Sequence, residues 1–124
     1  MNIHLQDGLP LVEVTLDHQG QRLVLSQVLL DTGSAGSLLA ADELLKINVS
    51  LEPHDPLRRI RGVGGSEFVF VKTLDRLSVG LLHATTFAVE VGALDYGFTL
   101  QGILGMDFLL QAKAIINLDA LTLT

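Results

Sequence analysis

Cysteine and tryptophan are absent from the 124 residues, and aromatic side chains amount to five Phe and one Tyr. A chain without thiols forms no disulfide and does no cysteine chemistry, which suits a reducing compartment; a cytoplasmic location is the expectation. Residues of the hydrophobic class make up 48% of the chain, so the core they form must be mainly aliphatic. Basic residues are few, eight Lys and Arg against fourteen Asp and Glu, for a formal net charge of −6. A nucleic-acid binder needs a basic face, so that class is excluded. No uncharged apolar run approaches the ~20 residues of a membrane helix. The opening Met-Asn-Ile-His-Leu-Gln-Asp-Gly lacks the basic-then-apolar order of a signal peptide, and no membrane partner is expected. His4, His18, His54 and His83 are scattered without ligand spacing, so neither a metal nor another cofactor is expected.

What is present is mostly β. The length suits one domain over residues 1–124. Residues 9–16 alternate loosely, Asp17-His18-Gln19-Gly20 is a turn cluster, and residues 21–30 return as a second apolar strand. Residues 40–47 carry Leu44, Leu45 and Ile47 among good helix formers and predict a short helix. The two prolines of Glu52-Pro53-His54-Asp55-Pro56 break any ladder and mark a loop. Residues 58–79 read as two β-rich arms around Gly62-Val63-Gly64-Gly65, a hairpin with a glycine-rich tip. A strand over 85–91, a helix over 105–111 and short strands over 114–118 and 121–124 complete the pattern.

Several chemistries can be set aside. Thr32-Gly33-Ser34-Ala35-Gly36 misses the G-x-S-x-G elbow at its first glycine, and too few helices are predicted for the α/β sheet that elbow needs. Gly62-Val63-Gly64-Gly65-Ser66 lacks the Gly-Lys-Ser/Thr ending of a phosphate loop and precedes a strand. Asn48-Val49-Ser50 matches the glycosylation sequon by chance alone, given no secretion signal. Leu29-Leu30-Asp31-Thr32-Gly33-Ser34 is harder to dismiss, because it drives a carboxylate to the end of an apolar strand. An isolated Asp-x-Gly is ordinarily an Asx-turn. Here a glycine-rich hairpin follows about 30 residues downstream, and Ile103-Leu104-Gly105 opens a helix.

Together these segments resemble the retropepsin-like aspartic proteases, the single-lobe kind that works as a two-fold homodimer, from about residue 9 to 124. The resemblance implies a mostly β acid-protease lobe with two short helices and a β-hairpin flap over about 58–70. It implies an aspartic endopeptidase acting on a peptide or protein substrate, with Asp31 as the catalytic carboxylate. Thr32 would bond its twin across the dimer, the Ser34 hydroxyl would bond the outer oxygen of Asp31, and Gly33 would offer its backbone to substrate. Gly62, Val63, Gly64 and Gly65 would cover the bound peptide, and residues 121–124 would pair across the two-fold axis. Hydrolysis by this route needs two carboxylates. The second Asp-x-Gly, Asp95-Tyr96-Gly97, has a bulky Tyr where the motif has Thr, and the chain is too short for two lobes. The second Asp31 therefore belongs to another copy. Ala35 departs from viral members, which often carry an acid there. Asp107 reads as a first-turn helix acid or as a partner for Arg58, Arg59 or Arg61. The other functional reading is a dimerisation or peptide-binding module of the same fold with little or no hydrolysis.

Overall fold

The computed structural model describes residues 1–62, 65–94 and 99–124, with side chains outside 60–67. Val63, Gly64 and the Asp95-Tyr96-Gly97 segment thus lie outside the described residues. Strands β1 (His4–Gln6), β2 (Leu9–His18) and β3 (Gln21–Leu30) form an antiparallel meander. The β1–β2 turn is Asp7-Gly8 and the β2–β3 turn Gln19-Gly20, and all four residues have positive φ. Two consecutive left-handed residues match the right-handed twist of a hairpin, which favours glycine at the second place. The turn is thus tighter than residues 17–20, and Asp17 and His18 belong to β2. The register between β2 and β3 shifts between Val12 and Val14: Ser26 and Gln27 of β3 stand opposite Glu13 alone, so β3 carries the extra residue and buries Leu25 and Val28, three positions apart.

Three residues, β4 (Leu38–Ala40), lead into α1 (Ala41–Leu44), which continues as a 3-10 turn over Leu45–Ile47. Next come β5 (Leu57–Gly62), β6 (Gly65–Val79) and β7 (Leu82–Gly92), paired antiparallel in sequence. Then β8 (Gly102–Leu104), α2 (Met106–Gln111), β9 (Ile116–Asn117) and β10 (Thr122–Leu123) finish the chain. The eight-stranded sheet runs β1-β2-β3-β8-β4-β7-β6-β5, and a further β2–β6 pairing closes it into a barrel with β1 and β5 at its margins. The main core fills that barrel with aliphatic side chains, as the composition requires, plus Phe87 and Phe108. Leu38, Val69 and Ile103 form a separate small cluster, with Leu29 and Leu94 against it.

The prolines of the 52–56 loop do end the ladder, but the loop is held down. Lys72, buried on β6, reaches Glu52 and Asp55 at 2.7 Å each. Burial works against the Lys72 charge, but hydrogen bonds to Asp55 and Glu52 outweigh it and hold the ammonium above its usual value. The same bonds from Lys72 hold both carboxyls below the usual carboxylate range.

The C-terminal strand does not wait for a partner copy. β10 pairs antiparallel with β9 on one side. On its other side Thr122 bridges Asn2, while Leu123 N–H donates to the Met1 carbonyl at 2.8 Å and Ile3 N–H to the Leu121 carbonyl at 2.8 Å. Both edges of β10 are therefore used within the chain, and Leu123 sits in the main core. The edge expected to pair across a two-fold axis is paired here with residues 1–3 of the same chain. Leu123→Ala is accordingly expected to destabilise the chain itself by about 2–5 kcal/mol. Urea unfolding checks this at a concentration series; a loss seen only where the protein self-associates would contradict it.

Candidate active site

β3 delivers Asp31. Its parallel pairing with β8 runs through Leu30 and Leu104, and the Asp31 N–H extends that ladder by donating to the Leu104 carbonyl at 3.0 Å. The chain then turns, with Ser34 N–H donating to the Asp31 carbonyl at 3.2 Å. The carboxylate is fixed by its own loop: Oδ1 accepts the Gly33 N–H at 2.9 Å. Asp31 is half-buried, while Thr32 and Gly33 are exposed. Apolar strand below and open loop above leave an oriented carboxylate facing outward at the strand's end.

Ser34 behaves differently from the expectation. Its hydroxyl donates to the Gly36 carbonyl at 2.7 Å, not to Asp31, so it braces the loop across two residues. Asp107 does sit in the first turn of α2, as the first of its two readings expected, and pairs with neither Arg58 nor Arg59. Its Oδ1 accepts from the Ser37 hydroxyl at 2.7 Å and from Phe108 N–H at 2.7 Å, and its Oδ2 accepts Ser37 N–H at 3.1 Å. The Ser37 oxygen in turn accepts Gly105 N–H at 2.9 Å. Arg58 faces Glu90 at 3.6 Å, and the Arg59 guanidinium lies over the Phe68 ring, 5.8 Å from its centre. The Arg61 side chain lies outside the described residues.

Residues 34–37 and the start of α2 are thus one hydrogen-bonded unit. Met106 N–H donates to the Ser34 carbonyl at 2.8 Å and Asp107 N–H to the Ala35 carbonyl at 3.1 Å. These are first-turn helix donors that lack partners inside the helix. Gly105 is required by space: a Cβ there would overlap the Gly36 carbonyl and stand 2.9 Å from the Ser34 oxygen. Phe108, fully buried, anchors α2 by an edge-to-face contact with Phe87 at 5.9 Å between ring centres. Sequence reasoning missed Ser37. The signal available was a hydroxyl immediately before Leu38 and Leu39, a polar residue heading into apolar sequence that needs a buried partner.

Of the predicted site residues, the structure brings Asp31, Thr32, Gly33 and Ser34 together in one loop, and it pairs Gly62 with Gly65 across the β5–β6 hairpin. Among the described residues no group of His, Asp and Glu is arranged to hold a metal ion, and no helix is long and apolar enough to cross a membrane. The family described as "Aspartyl protease" matches residues 12–108, well over half of the chain. The chain belongs to the aspartyl protease family, of the retropepsin-like kind. No curated protein matches it. The matched span of this aspartyl protease runs from β2 to Phe108, the residue that seats α2 beneath the loop.

The loop-to-helix unit gives a test by substitution. Ser37→Ala strands the buried Gly105 N–H and is expected to cost about 1–3 kcal/mol. Gly105→Ala should cost more, since backbone has to move to admit the methyl group. Chemical denaturation checks both, and a Gly105→Ala protein with the unsubstituted midpoint would contradict this account of the loop.

Proposed function

We propose that the chain is an aspartic endopeptidase that works as a two-fold homodimer, each copy supplying one Asp31. The observation that carries this reading is the outward-facing Asp31 carboxylate, held by Gly33 N–H on a loop locked to α2. The chain contains a single Asp-Thr-Gly, so one copy holds half of a two-carboxylate site. A closed two-fold assembly supplies the second half with the same residue. Leu110 on α2, and Ile115 and Leu118 on either side of β9, are exposed and offer apolar surface for such contact. That surface is the better candidate, since β10 is already paired on both edges.

Two carboxylates brought to about 3 Å cannot both ionise, so they share one proton. The ionised member takes a proton from a water, whose oxygen attacks the scissile carbonyl carbon. The protonated member gives its proton to the carbonyl oxygen, forming a neutral tetrahedral diol. As the diol collapses, the C–N bond breaks, the first carboxyl gives its proton to the leaving nitrogen, and the second, now ionised, takes a proton from one diol hydroxyl, which restores the shared-proton pair. In this reading the Thr32 hydroxyls bond each other across the axis, and Gly33 presents its backbone to the substrate. The β5–β6 hairpin closes over the peptide as a flap, through Gly62, Val63, Gly64 and Gly65.

Incubation with a mixed peptide library from acid to neutral pH, with and without pepstatin, tests the reading. Pepstatin-sensitive cleavage is expected, and Asp31→Asn should bring it to background without altering the circular dichroism spectrum. Cleavage that survives Asp31→Asn would contradict the assignment. Peptide binding without any cleavage would instead favour a binding module of the same fold.

A further inference from the structure

Beside the catalytic loop lies a cavity of about 260 Å³, whose lining includes Ala35, Gly36, Arg58, Val71, Glu90 and Asp107. Small-molecule sites run to ~300–1,000 Å³. The volume therefore suits one side chain of a longer ligand. Its position on the residues just after the Asp31 motif places it along a peptide that passes Gly33.

The charges that line it are not equivalent. Asp107 is spent on Ser37 and Phe108, as described above. Glu90 is held firmly by its backbone, whose N–H donates to the Ser37 carbonyl at 3.0 Å. Its carboxylate stands over the catalytic loop, with Oε1 3.4 Å from where a Gly36 Cβ would be. The Glu90 side chain is only 21% exposed, and its ion-pair partner Arg58, 63% exposed, approaches no closer than 3.6 Å. That separation is an ion pair without a hydrogen bond. A largely sheltered carboxylate with so little satisfaction is costly as it stands and gains much from a good donor. Arg58, in contrast, is well solvated, so its attraction for an acidic ligand is weak.

We infer that Glu90 makes this cavity a subsite for a lysine or arginine side chain of the substrate. The aliphatic stem would lie on Val71 and Ala88, which line the same cavity, and the cationic head would replace Arg58 at the Glu90 carboxylate. Ala35 leaves the mouth open, since its side chain ends at Cβ. Two carboxylates against one guanidinium leave the lining net negative, in a chain of net charge −6. An acidic substrate side chain is disfavoured on both counts. This inference rests on the peptidase reading for its position in a cleft, but it can be tested apart from hydrolysis.

Two assays separate the questions. In the first, a position-scanning peptide library compares Lys, Arg, norleucine, Gln and Glu at each position by kcat/KM. Unsubstituted protein is expected to favour Lys or Arg over norleucine at one position by about tenfold or more. Glu90→Gln, nearly isosteric, should flatten that preference, Glu90→Lys should turn it toward Glu, and Arg58→Ala should sharpen it. In the second assay, fluorescence anisotropy measures binding of Lys- and norleucine-containing peptides to Asp31→Asn protein, with and without Glu90→Gln. The Lys peptide should bind more tightly only where Glu90 is present. No charge preference in either assay, or a preference unchanged by Glu90→Gln, overturns the subsite. A Glu90-dependent preference in binding with no cleavage by unsubstituted protein keeps the subsite and removes the peptidase reading.

Discussion

A carboxylate that must face outward from an irregular loop, yet hold a fixed direction, needs that loop to be held by something other than a sheet. In this protein the docking of α2 does that work. Gly105 lets two backbone segments approach where any side chain would collide. The amides of Met106 and Asp107 then take the Ser34 and Ala35 carbonyls, and Ser37 closes the circuit through Asp107 and Gly105. Loss of one member leaves a buried polar group unpaired, so the cost of each exceeds its net hydrogen-bond value. Phe108 fixes the unit to the core against Phe87, so the direction of Asp31 depends on packing a helical turn away.

Barrel closure supplies the other half of the arrangement. β3 and β8 run parallel and stop at the same level, which puts the Asp31 loop and the start of α2 side by side. β4 is antiparallel to β8 and parallel to β7, so the far end of the loop meets Glu90 in the next strand. The candidate subsite is therefore a by-product of the same crossing that orders Asp31. A change in the preference of that subsite should need no change in the Asp31 loop, because the hydrogen bond that Glu90 makes to that loop comes from its backbone N–H and not from its side chain.

Much of this was legible in the sequence, and the remainder was illegible for definite reasons. The long strands β2, β3, β6 and β7 show as β-rich runs, and both helical segments follow apolar spacing at helical period. β4 and β8 do not show: each has three residues, all buried, with no alternation to read and with partners far along the chain. β1 was missed although Asp7-Gly8 is a strong hairpin signal, because its own side chains are all exposed. The pairing of β10 with the N-terminus is invisible to local pattern, since either a second copy or the same chain satisfies a β-prone end. At the site, the Asp-Thr-Gly motif was plain. Ser34 was assigned to the wrong neighbour, and Asp107, rightly read as a first-turn acid, was not read as the partner of Ser37, because a hydroxyl or carboxylate shows its chemistry in sequence but not its direction. Ser37 went unread for the same reason.

The central claim is that two copies of one Asp31 make one site, and subunit mixing tests it most directly. Asp31→Asn chains are titrated into unsubstituted chains at fixed total concentration, and the mixture is allowed to exchange subunits before cleavage is measured. If each active unit needs an Asp31 from both copies, activity follows the square of the unsubstituted fraction, so an equal mixture keeps about a quarter. Activity falling in simple proportion to that fraction would contradict the account, because it would mean that a single chain holds a complete site.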